Sequence, residues 1–249
     1  MRSLVKAADE IAAMRKSGQM LAKVLQLMSK NTIVGITPKE LAIMAGSEIK
    51  ALGGRPETLG YQGFPDVICI SVNDQVQHTI PNSRPLQNGD VVNFDFVVRY
   101  MGMVTDAGIT VGVGEISADA KRLIKGTREA LFAGVDVVKD GCRVGDISSA
   151  IETVLSSHKL GIVRELVGHG VGHEMHEPPE IPNYGIKGTG PTLRAGMTIA
   201  IEPISTLGGD GIVGDPDGWT IWTSDKSWSA QFEHTVLVTK TGAEILTAI

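Results

Sequence analysis

The chain repeats itself, and this restricts its fold more than any other feature. GDVVNFD starts at Gly89 and reaches an acid at Asp95; GMTIAIE starts at Gly196 and reaches one at Glu202, at the same offset. Leu86 and Leu193 each stand three residues ahead of that glycine. Earlier in the chain, GITPKEL from Gly35 parallels GCRVGDI from Gly141, each closing on an apolar residue, Leu41 or Ile147. The two pairings imply shifts of 107 and 106 residues. Two independent matches at nearly the same shift indicate a duplication, with halves of about 1–115 and 116–249. Two fused α/β halves would bring their equivalent strands together at a pseudo-twofold axis. Asp95 and Glu202 would then face each other across the seam.

The local patterns supply elements for such halves. Helical periodicity runs over about 8–29, with Ile11, Met14, Met20, Leu21, Val24 and Leu25 on one side. Thr37-Pro38 caps and opens a second helix, which ends near Gly53-Gly54. Further helices are predicted over about 118–139 and 146–159. Strands are predicted at 67–72, in a hairpin over 89–110, and at 163–167, 198–204, 219–222 and 231–238.

The hairpin carries two aspartates in strands of Val, Phe and Thr, where aspartate is disfavoured and costly to bury alone. Taking Met101-Gly102 as a two-residue turn sets Tyr100 opposite Met103, Val97 opposite Asp106 and Asp95 opposite Gly108. Side chains alternate along a strand. Asp95 and Asp106 therefore share one face as diagonal neighbours, about 7–8 Å apart at the backbone, close enough to share a cation. A turn one residue longer would put them on opposite faces.

Two more acids, Glu202 in AIEPI and Glu233 in SAQFEHTVLVT, also sit in apolar strands. GHGVGHEMHEPPEIPNYG, from Gly168, holds His169, His173 and His176, three of the six histidines. Its glycines argue against a helix, and His173-Glu174 meets His176 one residue too early for H-E-x-x-H. Four carboxylates and one or more imidazoles make up a two-metal site, the acids offsetting two divalent charges. An oxygen-rich set favours Mn, Fe or Co, with Zn or Ni as further candidates. GDGIVG at Gly209 matches G-x-G-x-x-G, but a turn and a strand follow it where a dinucleotide site needs a helix.

In this order and context, Asp95, Asp106, His169, Glu202 and Glu233 resemble the ligands of the type I methionine aminopeptidases, and the resemblance covers nearly the whole chain. SVNDQVQHTIP around His78, the spaced aspartate pair, the histidine-rich stretch, IEP and SAQFEHT carry it. It implies the pita-bread fold, an α/β (α+β) architecture of duplicated halves with an antiparallel sheet covered by helices, in one catalytic domain over 1–249. It implies a dinuclear centre held by those five residues, with Asp106 and Glu233 bridging. It further implies that His78 contacts the substrate amide nitrogen, that His176 contacts its carbonyl oxygen, and that Glu202 moves the proton. Thr58, Tyr61, Phe64, Cys69, Met175 and Trp219 would line the methionine pocket. The implied reaction is removal of the initiator methionine from nascent chains with a small second residue, by attack of hydroxide generated at the metals. Thr58, Met175 and Thr79 depart from the commoner family pattern. His158 and His234 are expected to be structural or surface residues, and the resemblance gives His173 no chemical role.

Composition fits an enzyme of this kind. Hydrophobic content is 42%, charged content 20% and net charge −5, so no basic surface invites nucleic acid. Cys69 and Cys142 are too few for a disulfide framework and point to a reducing compartment. The charged N-terminus lacks a signal-type apolar core, and no run of 18 apolar residues suggests a membrane span. A cytoplasmic monomer is expected, with the ribosome as a possible partner. Two alternatives remain: an X-Pro aminopeptidase or prolidase, for whose N-terminal domain the chain leaves no room, and a non-enzymatic binding protein, which would be expected to have lost ligands.

Overall fold

The computed structural model describes residues 3–248. Four helices, α1 (Ala8–Asn31), α2 (Pro38–Ala51), α3 (Ala118–Asp136) and α4 (Val144–Ser157), cover an antiparallel nine-stranded sheet. Along the sheet, Val91–Tyr100 neighbours Met103–Gly112, which neighbours Glu233–Val238, which neighbours Thr198–Ile201. The repeated GDVVNFD and GMTIAIE segments thus form the outer pair and their hairpin partners the inner pair. The equivalent strands therefore do not meet at the axis as expected: Met103–Gly112 and Glu233–Val238 stand between them and form the join. The seam is the short pairing of Glu233 with Gly108 and His234 with Ala107.

Helix starts follow the capping residues. Thr37 Oγ1 accepts the Glu40 N–H at 3.1 Å, and the Glu40 carboxylate accepts the Thr37 N–H at 2.8 Å, a reciprocal box that opens α2. Ser117 caps α3 through the Ala120 N–H. Each helix pair covers the sheet face of its own half. Phe94, Phe96 and Val98 pack beneath Leu21, Val24 and Leu41, while Ile199, Ile201 and Val236 pack beneath Leu131, Ile147 and Ile151. Strand alternation sends Asp95, Asp106, Glu202 and Glu233 to the opposite face.

The hairpin turn is Met101-Gly102, with φ of +48° and +85°, both left-handed as a type I′ turn requires. Its register is the expected one: Tyr100 opposite Met103, Val97 opposite Asp106, Asp95 opposite Gly108. Other strands differ from expectation. Residues 163–167 form no strand; they lie between Gly161–Ile162 and Gly168–Gly170, and Val163 gives a single backbone bond to Ile204. The predicted strand at 198–204 breaks into Thr198–Ile201 and Ile204–Thr206 at Glu202-Pro203, where proline has no N–H for the ladder. The strand at 219–222 is Ile221–Thr223, and 231–238 splits after Gln231. GDGIVG contributes Ile212–Gly214 to a hairpin, with no helix after it. Among the described residues no helix is long and apolar enough to cross a membrane.

Candidate metal centre and adjoining pocket

The open face of the seam brings all five expected ligands to one cavity of about 210 Å³, lined by Asp95, Asp106, His169, Glu202 and Glu233 together with Gln77, His78 and His176. One donor atom each from Asp106, His169 and Glu233 lies within 4.8 Å of the others. His169 Nε2 stands 3.5 Å from Glu202 Oε1 and 3.9 Å from Asp106 Oδ2. The ring is fixed from behind. Its Nδ1–H donates to the Gly170 carbonyl at 2.8 Å, leaving the Nε2 lone pair for the acids. The flanking glycines make that strand possible: a Cβ at Gly168 would stand 2.4 Å from the Ala200 carbonyl oxygen, and one at Gly170 2.2 Å from that of Pro178.

The electrostatics of the cluster are those of a cation site. Burial pushes Asp106 and Glu233 well above the usual carboxylate range, and the neighbouring acids push further in the same direction. Burial and then Asp95 do the same to Glu202. Burial raises Asp95 to about 6, opposed in part by Gln77 and Asp106, which favour its charged form. Burial lowers His169 to about 4. Asp106 Oδ1 and Glu233 Oε1 are buried without any hydrogen-bond partner. Two orphaned carboxylate oxygens beside a bare imidazole nitrogen fit divalent cations, which would satisfy the oxygens and remove the repulsion.

Beneath the acids lies Gln231, which no local pattern marks as part of the site. Its Nε2 donates to Glu233 Oε2 at 3.1 Å and reaches Glu202 Oε2 at 3.4 Å. Asn93 Nδ2 in turn donates to Gln231 Oε1 at 3.1 Å. Gly108 leaves the space, since a Cβ there would stand 2.8 Å from Gln231 Oε1. SAQFEHT contains this glutamine, but only the folded seam shows what it supports.

A second cavity of about 440 Å³ adjoins the first and shares His78, Asp95, Asp106 and His176 with it. Every expected pocket residue lines it: Thr58, Tyr61, Phe64, Cys69, Met175 and Trp219. Val97 and Ile221 add apolar wall that the sequence did not suggest. Phe64 and Trp219 meet edge to face, with centroids 5.1 Å apart. Burial, followed by the charges of Asp95 and Asp106, pushes the Cys69 thiol well up, so this wall stays neutral. His78 sits at the junction with a left-handed backbone, φ +57°, an uncommon conformation for a side-chain-bearing residue and one that clusters at functional sites. Burial lowers its pKa, and His176 lowers it further. His176 keeps an edge open to solvent, and the cleft walls still lower its pKa by desolvation.

The remaining histidines bind structural partners. His158 pairs with Glu129 at 2.7 Å, and His234 bonds Thr247 Oγ1 at 2.9 Å. His173 Nε2 meets Glu10 Oε1 at 2.7 Å, which fastens the loop carrying Met175 and His176 to the start of α1.

A buried carboxylate–imidazole cluster at the seam of this sheet defines a metallopeptidase class, and residues 12–240 match metallopeptidase family M24. The chain is 42% identical to the methionine aminopeptidase of Clostridium perfringens over 99% of both chains. It superposes on the crystal structure of methionine aminopeptidase from Thermotoga maritima with a TM-score of 0.97 and 41% identity, covering 98% of this chain and 99% of that one. Prolidase from Pyrococcus furiosus shares the fold at a TM-score of 0.79 and 22% identity, with 99% of this chain and 66% of that one covered. The chain belongs to metallopeptidase family M24 and, within it, to the methionine aminopeptidases.

Proposed function

We propose that the chain releases N-terminal methionine from polypeptides by hydrolysing their first peptide bond. The observation that carries this reading is the join between the two cavities. An apolar, aromatic and Cys-lined pocket opens onto the carboxylate cluster through His78 and His176. Methionine is flexible and polarizable and suits such walls. A substrate seated there would hold its amine and first carbonyl against the acids.

Asp95, Asp106, His169, Glu202 and Glu233 would hold two divalent ions, Mn, Fe or Co in preference to Zn or Ni. Such ions, when bound, supply Lewis acidity and lower the pKa of water to near neutral. Glu202, whose affinity for a proton burial raises, takes the proton of the attacking water and returns it to the departing amine. His176 donates to the carbonyl oxygen as negative charge develops there. His78 orients the scissile nitrogen. The substrates in this reading are nascent polypeptides with a small second residue, met in the cytoplasm near the ribosome. The enzyme acts as a monomer, and the halves at about 1–115 and 116–249 work as one catalytic domain. Two free cysteines suit a reducing compartment.

Hydrolysis of Met-Ala-Ser by chelator-treated protein, before and after addition of Mn or Co, tests the proposal, with Leu-Ala-Ser and an Ala-Pro peptide as controls. Metal-restored release of methionine alone is the expected result. Cleavage of the Ala-Pro peptide would move the reading to the prolidase branch, and no cleavage despite tight metal binding would move it to a binding protein. His78→Ala should keep its metal content yet lose about 100-fold in kcat, the scale of a misplaced proton-transfer or orienting group. Metal analysis beside steady-state kinetics checks both halves of that expectation.

A further inference from the structure

Tyr61 lines the pocket, and its hydroxyl also lies 2.8 Å from His176 Nδ1. We propose that Tyr61 is a positioning residue that fixes the tautomer of His176, donating its phenolic proton to Nδ1 so that Nε2 carries the hydrogen. The proposal rests on the reading of His176 as the donor to the substrate carbonyl oxygen.

The direction of the bond follows from chemistry. In a neutral imidazole one ring nitrogen donates and the other accepts. A phenol, with a pKa of about 10, is a far stronger acid than an imidazole N–H, and an imidazole nitrogen is a better acceptor than a phenolic oxygen. The O–H to Nδ1 arrangement is therefore favoured over the reverse. A ring with Nδ1–H would present a bare Nε2, which repels a developing oxyanion. His169 has the same proton distribution reversed by design: its Nδ1–H is held by the Gly170 carbonyl, and its bare Nε2 faces the acids. The two rings touch edge to face, with centroids 4.4 Å apart. Neighbouring imidazoles are thus set to opposite tasks by their outer hydrogen bonds, one to accept and one to donate.

The backbone holds Tyr61 for this role. Its N–H donates to the Thr58 carbonyl at 3.1 Å, and its own carbonyl accepts the Phe64 N–H at 2.8 Å. Gly60, at φ +82°, closes the turn through a bond from its N–H to the Phe64 carbonyl. The same side chain therefore contacts the methionine pocket and the histidine at the scissile bond.

Tyr61→Phe keeps the ring and removes only the hydroxyl. In the zinc-loaded enzyme, whose metal is diamagnetic, 15N shifts of the His176 ring, assigned with His176→Gln, should show Nδ1 bare and Nε2 protonated. Tyr61→Phe should mix the tautomers and lower kcat about tenfold, the kinetic equivalent of one hydrogen bond, with KM for Met-Ala-Ser within about twofold. A residue that only lined the pocket would instead raise KM and leave the ring pattern alone. A protonated Nδ1 in the wild type, or an unchanged pattern or kcat in Tyr61→Phe, overturns the proposal. Full activity in His176→Ala would show that the reading of His176 has failed, independently of the tautomer.

Discussion

Asp106→Asn should abolish peptide hydrolysis, fail to retain divalent metal through purification, and make the metal-stripped protein more stable above pH 6.5. The first two outcomes follow from its position, with one oxygen near His169 Nε2 and the other buried and unpartnered. The third follows from linkage. Burial holds the pKa values of Asp106, Glu202 and Glu233 in the folded protein well above the ordinary carboxylate range. The folded metal-free protein thus binds more protons than the unfolded chain, so stability falls as pH rises through the raised values. His78, His169, His176 and His234 act in the opposite sense. Burial lowers all four, so their contribution grows with pH and is complete about one unit above the unfolded histidine value of about 6.5. Above that pH the acids and the Cys69 thiol, which burial also raises, remain in play, and both favour a fall. The Tm of chelator-treated wild type should therefore fall between pH 7.5 and 8.5, and Mn or Co should reverse the fall. Asp106→Asn, with one charge fewer in the cluster, should fall less and gain little from metal. A wild-type Tm that rises over this range, or metal retention by the variant, would contradict the assignment of these acids.

What the sequence could reveal was set by range. Asp95 and Asp106 lie on one hairpin, so turn type and strand parity were enough to put them on one face, and the register agrees at every pair. The duplication was legible because it is a pattern in the chain, but it did not show that Met103–Gly112 and Glu233–Val238, rather than the repeated strands themselves, meet at the seam. The supporting bonds were not legible. Asn93 and Gln231 are 138 residues apart, and Tyr61 and His176 are 115 apart. Neither partner has a local signature, since a glutamine or tyrosine in a strand or turn has many uses. The family resemblance assigned Tyr61 to a pocket wall, and only the folded contact adds the histidine. The stretch 163–167 failed as a strand for a related reason. Its Val and Leu are apolar because they pack near Val76 and line the metal cavity, so their hydrophobicity reflects tertiary contact.

Lys6→Met should lower unfolding free energy by about 3–5 kcal/mol, the usual cost of leaving one member of a buried ion pair alone. The Lys6 ammonium lies 2.7 Å from Glu177 Oε2, with side-chain exposures of 1% and 9%. Glu177 also accepts the N–H groups of His173 and Glu174 through its other oxygen, at 2.6 and 3.0 Å. Burial raises its pKa, but Lys6 and these N–H groups together hold it below the ordinary value, so the carboxylate is charged in the fold. Gly172 makes room for the lysine, because a Cβ there would stand 2.3 Å from Lys6 Cε. This cluster lies beneath the loop that carries Met175 and His176, so the damage should reach catalysis as well as folding. Lys6→Met leaves a buried, uncompensated Glu177, which recovers stability by protonation or by drawing in water, and either response loosens the turn it clamps. The double variant Lys6→Met, Glu177→Gln removes both charges and keeps an acceptor for the two N–H groups. It should recover more than half of the lost stability, because the penalty comes from the orphaned charge more than from the missing attraction. Urea unfolding of the single and double variants, with kcat measured on each, decides the matter. Equal stability of Lys6→Met and wild type would mean that the pair is tolerated in the core without being needed to hold the loop.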